Sequence, residues 1–80
     1  MTITVLLFAS YADAFGRSRI DVMAPAGATV ADVVARVRSD GGADRLPSRP
    51  LVAVNCEYAG YDRVLSADDE VALIPPVAGG

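Results

Sequence analysis

The sequence predicts an α+β fold in which one main helix packs across a mixed sheet of four or five strands. Three observations carry this expectation. Val30, Val33, Val34 and Val37 recur at i, i+3, i+4 and i+7, which makes a single apolar stripe on a helix. Strand-length apolar runs stand near the two ends of the chain, "ITVLLF" from Ile3 and "VALI" from Val71. The other apolar stretches are short, alternate with polar residues, and are bounded by Pro, Gly, Asn and Asp.

Taken in order, Thr2 to Phe8 alternates first and is continuously apolar later, as a partly buried strand is. "SYADAFGR" (10–17) has room for one or two helical turns, with Ser10 as N-cap and Gly16 as stop. Residues 19–24 alternate, with Ile20 and Val22 on one face, and Pro25-Ala26-Gly27 is turn chemistry. Thr29 caps the main helix, with Asp32 as its capping-box partner. Arg36 and Arg38 suit the negative end of the helix dipole, and Gly41-Gly42 ends the element. Valines are poor helix formers, so packing against the sheet has to hold this helix.

A polar loop with two prolines (43–50) leads into "LVAVN" (51–55), a third strand. Asn55-Cys56 falls where a tight hairpin turn belongs, with a short return strand through Tyr58. Residues 61–70 read as mostly irregular, and 71–75 as the last strand. Strand, strand, helix, then two or three strands is the β-grasp (ubiquitin-like) order, with the first and last strands side by side in the middle of the sheet. The division predicted is a β-grasp domain over 1–75 and an extended tail over 76–80.

Composition narrows the function. Eighty residues, 52% of them hydrophobic, suffice for one small core. The net charge of −3 and the lack of a basic stripe argue against nucleic acid. No apolar run approaches membrane-spanning length, and the start lacks the basic region of a secretory signal, so a cytoplasmic address is expected. The one cysteine, Cys56, makes no intramolecular disulfide. All seven basic residues are arginine, and histidine is absent, so the usual acid–base and metal inventory is nearly empty. No metal site is predicted, and a self-contained enzyme is disfavoured.

The chemistry points instead to the end of the chain, "ALIPPVAGG". Pro75 and Pro76 cannot donate to a ladder, so they stop the strand and stiffen the base of the tail. Val77 and Ala78 are small, and Gly79 and Gly80 have no side chains, so this tail fits a narrow channel. A terminal glycine is the least hindered acyl group once its carboxylate is activated. Ile74, Leu73 and Val77 are candidates for an apolar patch at the root of the tail. Alternation sends at least one of them to the core, and Ile74 and Val77 are expected to face a partner. Phe8 is expected in the core. Asp68, Asp69 and Glu70 read as a solvated turn, with Asp68 or its neighbours tolerating left-handed geometry. Cys56 reads as a turn cysteine with nothing basic beside it.

"PLVAVNCEY", "VLSADDEVALIPPVAGG" and the opening "ITVLLFASYADAFG" together resemble the small subunit of molybdopterin synthase, the MoaD-type branch of the ubiquitin-like sulfur carriers. The resemblance covers the whole chain and is densest after residue 50. It implies that a MoeB-type activating enzyme adenylates Gly80 with ATP, and that sulfur is then installed as a terminal thiocarboxylate. It implies docking on the synthase large subunit in a heterotetramer, with sulfur passed to cyclic pyranopterin monophosphate to build the molybdopterin dithiolene. The carrier would be the non-catalytic, sulfur-donating subunit, with no permanently bound cofactor. The chain departs from the family's usual pattern at Asp68, where a glycine is common, and at Cys56. Two other readings share the tail: a sulfur carrier for thiamine thiazole or cysteine synthesis, and a ubiquitin-like interaction or conjugation module. The diproline and the length favour the molybdopterin branch over the thiazole carriers, whereas the cysteine-pathway carriers also end in Gly-Gly and stay open.

Overall fold

The computed structural model describes residues 1–39, 44 and 46–76. Its elements run β1 (Thr2–Leu7), α1 (Ala9–Phe15), β2 (Arg19–Met23), α2 (Val30–Val37), β3 (Leu51–Val54), β4 (Glu57–Tyr58) and β5 (Glu70–Ile74). The sheet order is β2-β1-β5-β3-β4. β1 and β5 are parallel neighbours in the centre, and every other pairing is antiparallel. This is the predicted β-grasp, with a seven-residue α1 added to the main helix.

The core lies between one sheet face and α2. Ile3, Val5 and Leu7 of β1 and Val71 and Leu73 of β5 are buried on that face, and Val30, Val33, Val34 and Val37 meet them from α2. Leu46 and Leu65, from the loops on either side of the β3–β4 hairpin, complete the cluster. The α2 capping box forms as expected. Asp32 N–H donates to the Thr29 hydroxyl at 3.3 Å, and Thr29 N–H donates to the Asp32 carboxylate at 2.9 Å. The loop 61–65 is stitched to the start of the same helix, since Val30 N–H donates to Arg63 and Leu65 N–H to Ala28. That loop is irregular as predicted, apart from an isolated bridge between Thr29 and Val64.

Two local expectations are corrected. Ser10 is not the α1 N-cap: Phe8 holds that position, extended and with no side-chain cap, and Ser10 lies inside the helix. The chain passes from β1 into α1 with one residue between them, Phe8, so the corner is made by Ala9 at φ 46° instead of by a polar cap. Gly16 does end α1, in the left-handed region at φ 71°, where its N–H reaches Ala12 and Asp13. Asp68 takes no positive φ, because the turn before β5 closes through Asp69, whose carboxylate and N–H both bond to Ser66. Left-handed geometry falls instead on Asn55 (φ 51°) and Cys56 (φ 70°), as the hairpin turn demands. Gly41 and Gly42, the expected end of α2, lie outside the described residues, and the regular helix stops at Val37.

Candidate functional site at the root of the tail

Strand alternation decides which side chains surround the exit of the tail. In β5, Val71 and Leu73 point into the core, so Glu70, Ala72 and Ile74 stand on the other face of the sheet. Both helices pack toward the core, and among the described residues no helix covers this second face. Register lines its residues up in rows. Leu6 lies opposite Ala72, Ala72 opposite Ala53, and Ala53 opposite Tyr58. One row nearer the tail, Ile74 lies opposite Leu51, and Phe8 continues β1 beyond the Leu7–Leu73 pair.

Together these rows make an apolar groove of about 310 Å³, lined by Leu6, Phe8, Ala53, Tyr58, Ala72 and Ile74, with Cys56 and Glu70 at its far end. Phe8 is 47% exposed, Leu51 50% and Tyr58 74%, a cluster of bare large hydrophobics on so small a domain. A depression of about 350 Å³ lies elsewhere, between the end of β2 and α2, away from the tail.

Ile74 sits off the core as expected, half-buried at the groove's tail end, and Leu73 is the core member of the pair. Phe8 is a correction. The sequence places it in the core, whereas the alternation of β1 carries it to the open face with Leu6. Pro75 is buried and closes the strand; Pro76 is the first exposed residue beyond it. Val77, Ala78, Gly79 and Gly80 lie outside the described residues.

Two contacts hold the segment just before β3. The Tyr61 hydroxyl donates to the Pro50 carbonyl, and the Arg49 guanidinium lies 4.3 Å from the centre of the Tyr61 ring. Burial pushes the Tyr61 hydroxyl pKa up, against a smaller opposing pull from Arg49. This clamp fixes the entry to Leu51, and Leu51 pairs with Ile74. Sequence reasoning missed Arg49, Tyr61, Leu51 and Tyr58. The period of two in "LVAV" was the available signal for Leu51.

The acidic turn stands at the opposite end of β5. Asp69 accepts from Ser66 N–H at 2.8 Å and from the Asn55 amide at 2.8 Å, and these bonds hold its carboxyl below the usual range, the Ser66 bond contributing most. Cys56 is exposed at that same end. It follows Asn55 in the hairpin turn, past the last β3–β5 pair, Val54 with Val71, at the end of the groove away from the root of the tail. Among the described residues no group of three His, Cys, Asp or Glu side chains could hold a metal, and no helix is long and apolar enough to cross a membrane.

Known proteins share this frame. SAMP1 of Haloferax volcanii, small archaeal modifier protein 1, is 30% identical over 100% of both chains, with a TM-score of 0.85. A putative molybdopterin converting factor subunit 1 from Pyrococcus furiosus is 23% identical, covers 96% of this chain and 99% of its own, and has a TM-score of 0.81; that likeness bears on the fold. A chain of the Amycolatopsis orientalis BexX/CysO complex is 25% identical over 98% of this chain and 99% of its own, with a TM-score of 0.64. The ThiS family model matches residues 5–80, which takes in the second half of β1, the whole of β5 and the tail. With that match across nearly its whole length, the chain belongs to the ThiS family, the sulfur carriers and ubiquitin-like modifiers built on the β-grasp fold.

Proposed function

We propose that this protein is the sulfur-carrier small subunit of a molybdopterin synthase. The observation that carries the reading is the placement of the tail: it leaves central strand β5 through buried Pro75 and exposed Pro76, beside the apolar cluster of Phe8, Leu51 and Ile74. A partner covering that cluster receives the tail in a fixed direction. Val77 adds an apolar anchor just beyond Ile74, and Ala78, Gly79 and Gly80 are thin enough to enter a narrow channel. The likeness to a chain of the BexX/CysO complex supports a partner protein.

Gly80 is the working residue. Its carboxylate attacks the α-phosphorus of ATP on a MoeB-type activating enzyme, giving an acyl-adenylate and pyrophosphate. Hydrosulfide-level sulfur then displaces AMP, and the product is a terminal thiocarboxylate. Docked on the large subunit, the thiocarboxylate sulfur bonds to a carbon of cyclic pyranopterin monophosphate, and hydrolysis of the acyl–sulfur bond leaves the sulfur there, toward the dithiolene, and returns Gly80 as a carboxylate. The carrier holds no permanent cofactor in this cycle. Acid–base chemistry falls to the partner, in keeping with a chain that has neither histidine nor lysine. The cycle belongs in the cytoplasm, where ATP and the activating enzyme are found.

Native mass spectrometry of the protein from its own cells, with Gly80 untagged, tests the reading. A complex with a synthase large subunit, carrying one terminal oxygen replaced by sulfur, supports it. An unmodified carboxylate with no such partner overturns it. The 30% identity to SAMP1 favours a second reading, that of a modifier joined to other proteins through Gly80. Isopeptide-linked adducts in the same extract would select that reading, and their absence beside a thiocarboxylate would select sulfur transfer. A thiocarboxylate found with a thiazole- or cysteine-forming partner would move the carrier to those pathways.

A further inference from the structure

Among the described residues the sheet ends at β2, and the bonding pattern shows which of its groups are free. Met1 and Ala24 exchange both ladder bonds, at 2.7 and 2.9 Å, and Leu7 N–H donates to Ser18 at 2.9 Å. In an antiparallel ladder, bonded and non-bonded pairs alternate. Ile3–Val22 and Val5–Ile20 are therefore bonded pairs, whereas Arg19, Asp21 and Met23 turn their N–H and C=O groups outward. The side chains of these same three residues stand on the open face, since Val22 points to the core.

Such an edge is a template for another strand, and proteins commonly guard it with charged side chains, lysine above all. Here the charges alternate. Arg19 and Asp21 are exposed neighbours on one face, linked at 3.4 Å within the strand. That order is self-complementary. When two β2 edges pair antiparallel about a two-fold axis between their Ile20 residues, Arg19 of each falls opposite Asp21 of the other. The register also uses the outward N–H and C=O groups of both residues, as the ladder parity requires. The alternative centred on Asp21 sets two aspartates face to face and is disfavoured.

We infer that β2 is a homodimerisation edge, joining two copies into one continuous ten-stranded sheet through reciprocal Arg19–Asp21 pairs. β5, with the tail root, lies two strands inside each half, so the joint leaves the groove open to a larger partner. Exposed charge pairs are screened by salt, so the dimer weakens as ionic strength rises.

Charge reversal tests this by analytical ultracentrifugation of the full chain in low salt, from about 10 µM to about 1 mM, with circular dichroism as the check on folding. The unaltered protein is expected to dimerise across that range. Arg19→Asp and Asp21→Arg each replace two attractive contacts with two repulsive ones and should weaken the dimer roughly tenfold or more. The double variant Arg19→Asp/Asp21→Arg restores complementarity in the same register and should recover the dimer. A monomer throughout the range overturns the inference. So does a dimer indifferent to both single reversals, or a double variant that stays as weak as the singles.

Discussion

Asn55 and Asp69 are joined by a 2.8 Å hydrogen bond across 14 positions of sequence, from the Asn55 amide to the Asp69 carboxylate. Asn55 makes two more bonds to the same segment: its side-chain oxygen accepts from Glu70 N–H at 3.0 Å, and its own N–H donates to the Glu70 carbonyl at 2.9 Å. One residue therefore turns the β3–β4 hairpin and pins the start of β5, the strand that carries the tail. Its left-handed φ of 51° is one that asparagine accepts more readily than most residues.

Replacing Asn55 separates these two roles. Asn55→Ala loses both side-chain bonds and adds left-handed strain, so it should cost about 2 kcal/mol in urea unfolding. Asn55→Gly loses the bonds and keeps the backbone freedom, so its cost should be about 1 kcal/mol. Equal costs would mean that the backbone contributes nothing.

Asp69 gives the pH dependence a sign. Its carboxyl is held below the usual range chiefly by Ser66 N–H and then by Asn55. A depressed folded value contributes stability that is present above the unfolded carboxylate pKa, about 3.9. That contribution disappears as pH falls through the folded value. Asp69→Asn should flatten the acid limb of the stability curve below about pH 4 and leave its slope near neutrality unchanged. An acid limb as steep as in the unaltered protein would remove Asp69 from the account.

Phe8 and Leu73 test the division between core and open face. Leu73 is fully buried, so Leu73→Ala should cost about 2–5 kcal/mol. Phe8 is half exposed, and Phe8→Ala should cost less than about 1.5 kcal/mol in urea. Docking of a partner on the groove should suffer in the opposite order among folded variants. Similar stability losses would return Phe8 to the core.

What the sequence revealed divides along physical lines. The Thr29–Asp32 box, the valine stripe and the Asn55-Cys56 turn are local patterns with one strong solution each, and all three are present. Thr29→Ala should accordingly cost about 1 kcal/mol. Phe8 was misplaced because an unbroken run such as "VLLF" hides the period of two, and only pairing shows which alternate members leave the core. The Ser10 cap failed because β1 and α1 abut, a feature of tertiary geometry with no local signature. The Tyr61–Pro50 and Arg49–Tyr61 contacts join a loop to the residues just before β3, and no spacing rule predicts such a meeting.

Cys56 and Gly80 carry the last prediction, because each has sulfur chemistry of its own. If sulfur passed through the cysteine, Cys56→Ser would abolish loading of the terminus. The sheet register puts Cys56 in the turn beyond Val54, at the end of the groove away from the root of the tail. Serine also tolerates the turn about as well as cysteine at φ 70°, so the fold should not obscure the result. Cys56→Ser should therefore carry a thiocarboxylate to the same extent as the unaltered protein, read as the fraction of intact mass with sulfur in place of oxygen. Deleting Gly80 should abolish it while the urea midpoint stays where it was, since β5 already ends at Ile74. Loss of loading in Cys56→Ser, with the fold intact, would show that the Cys56 thiol takes part in loading.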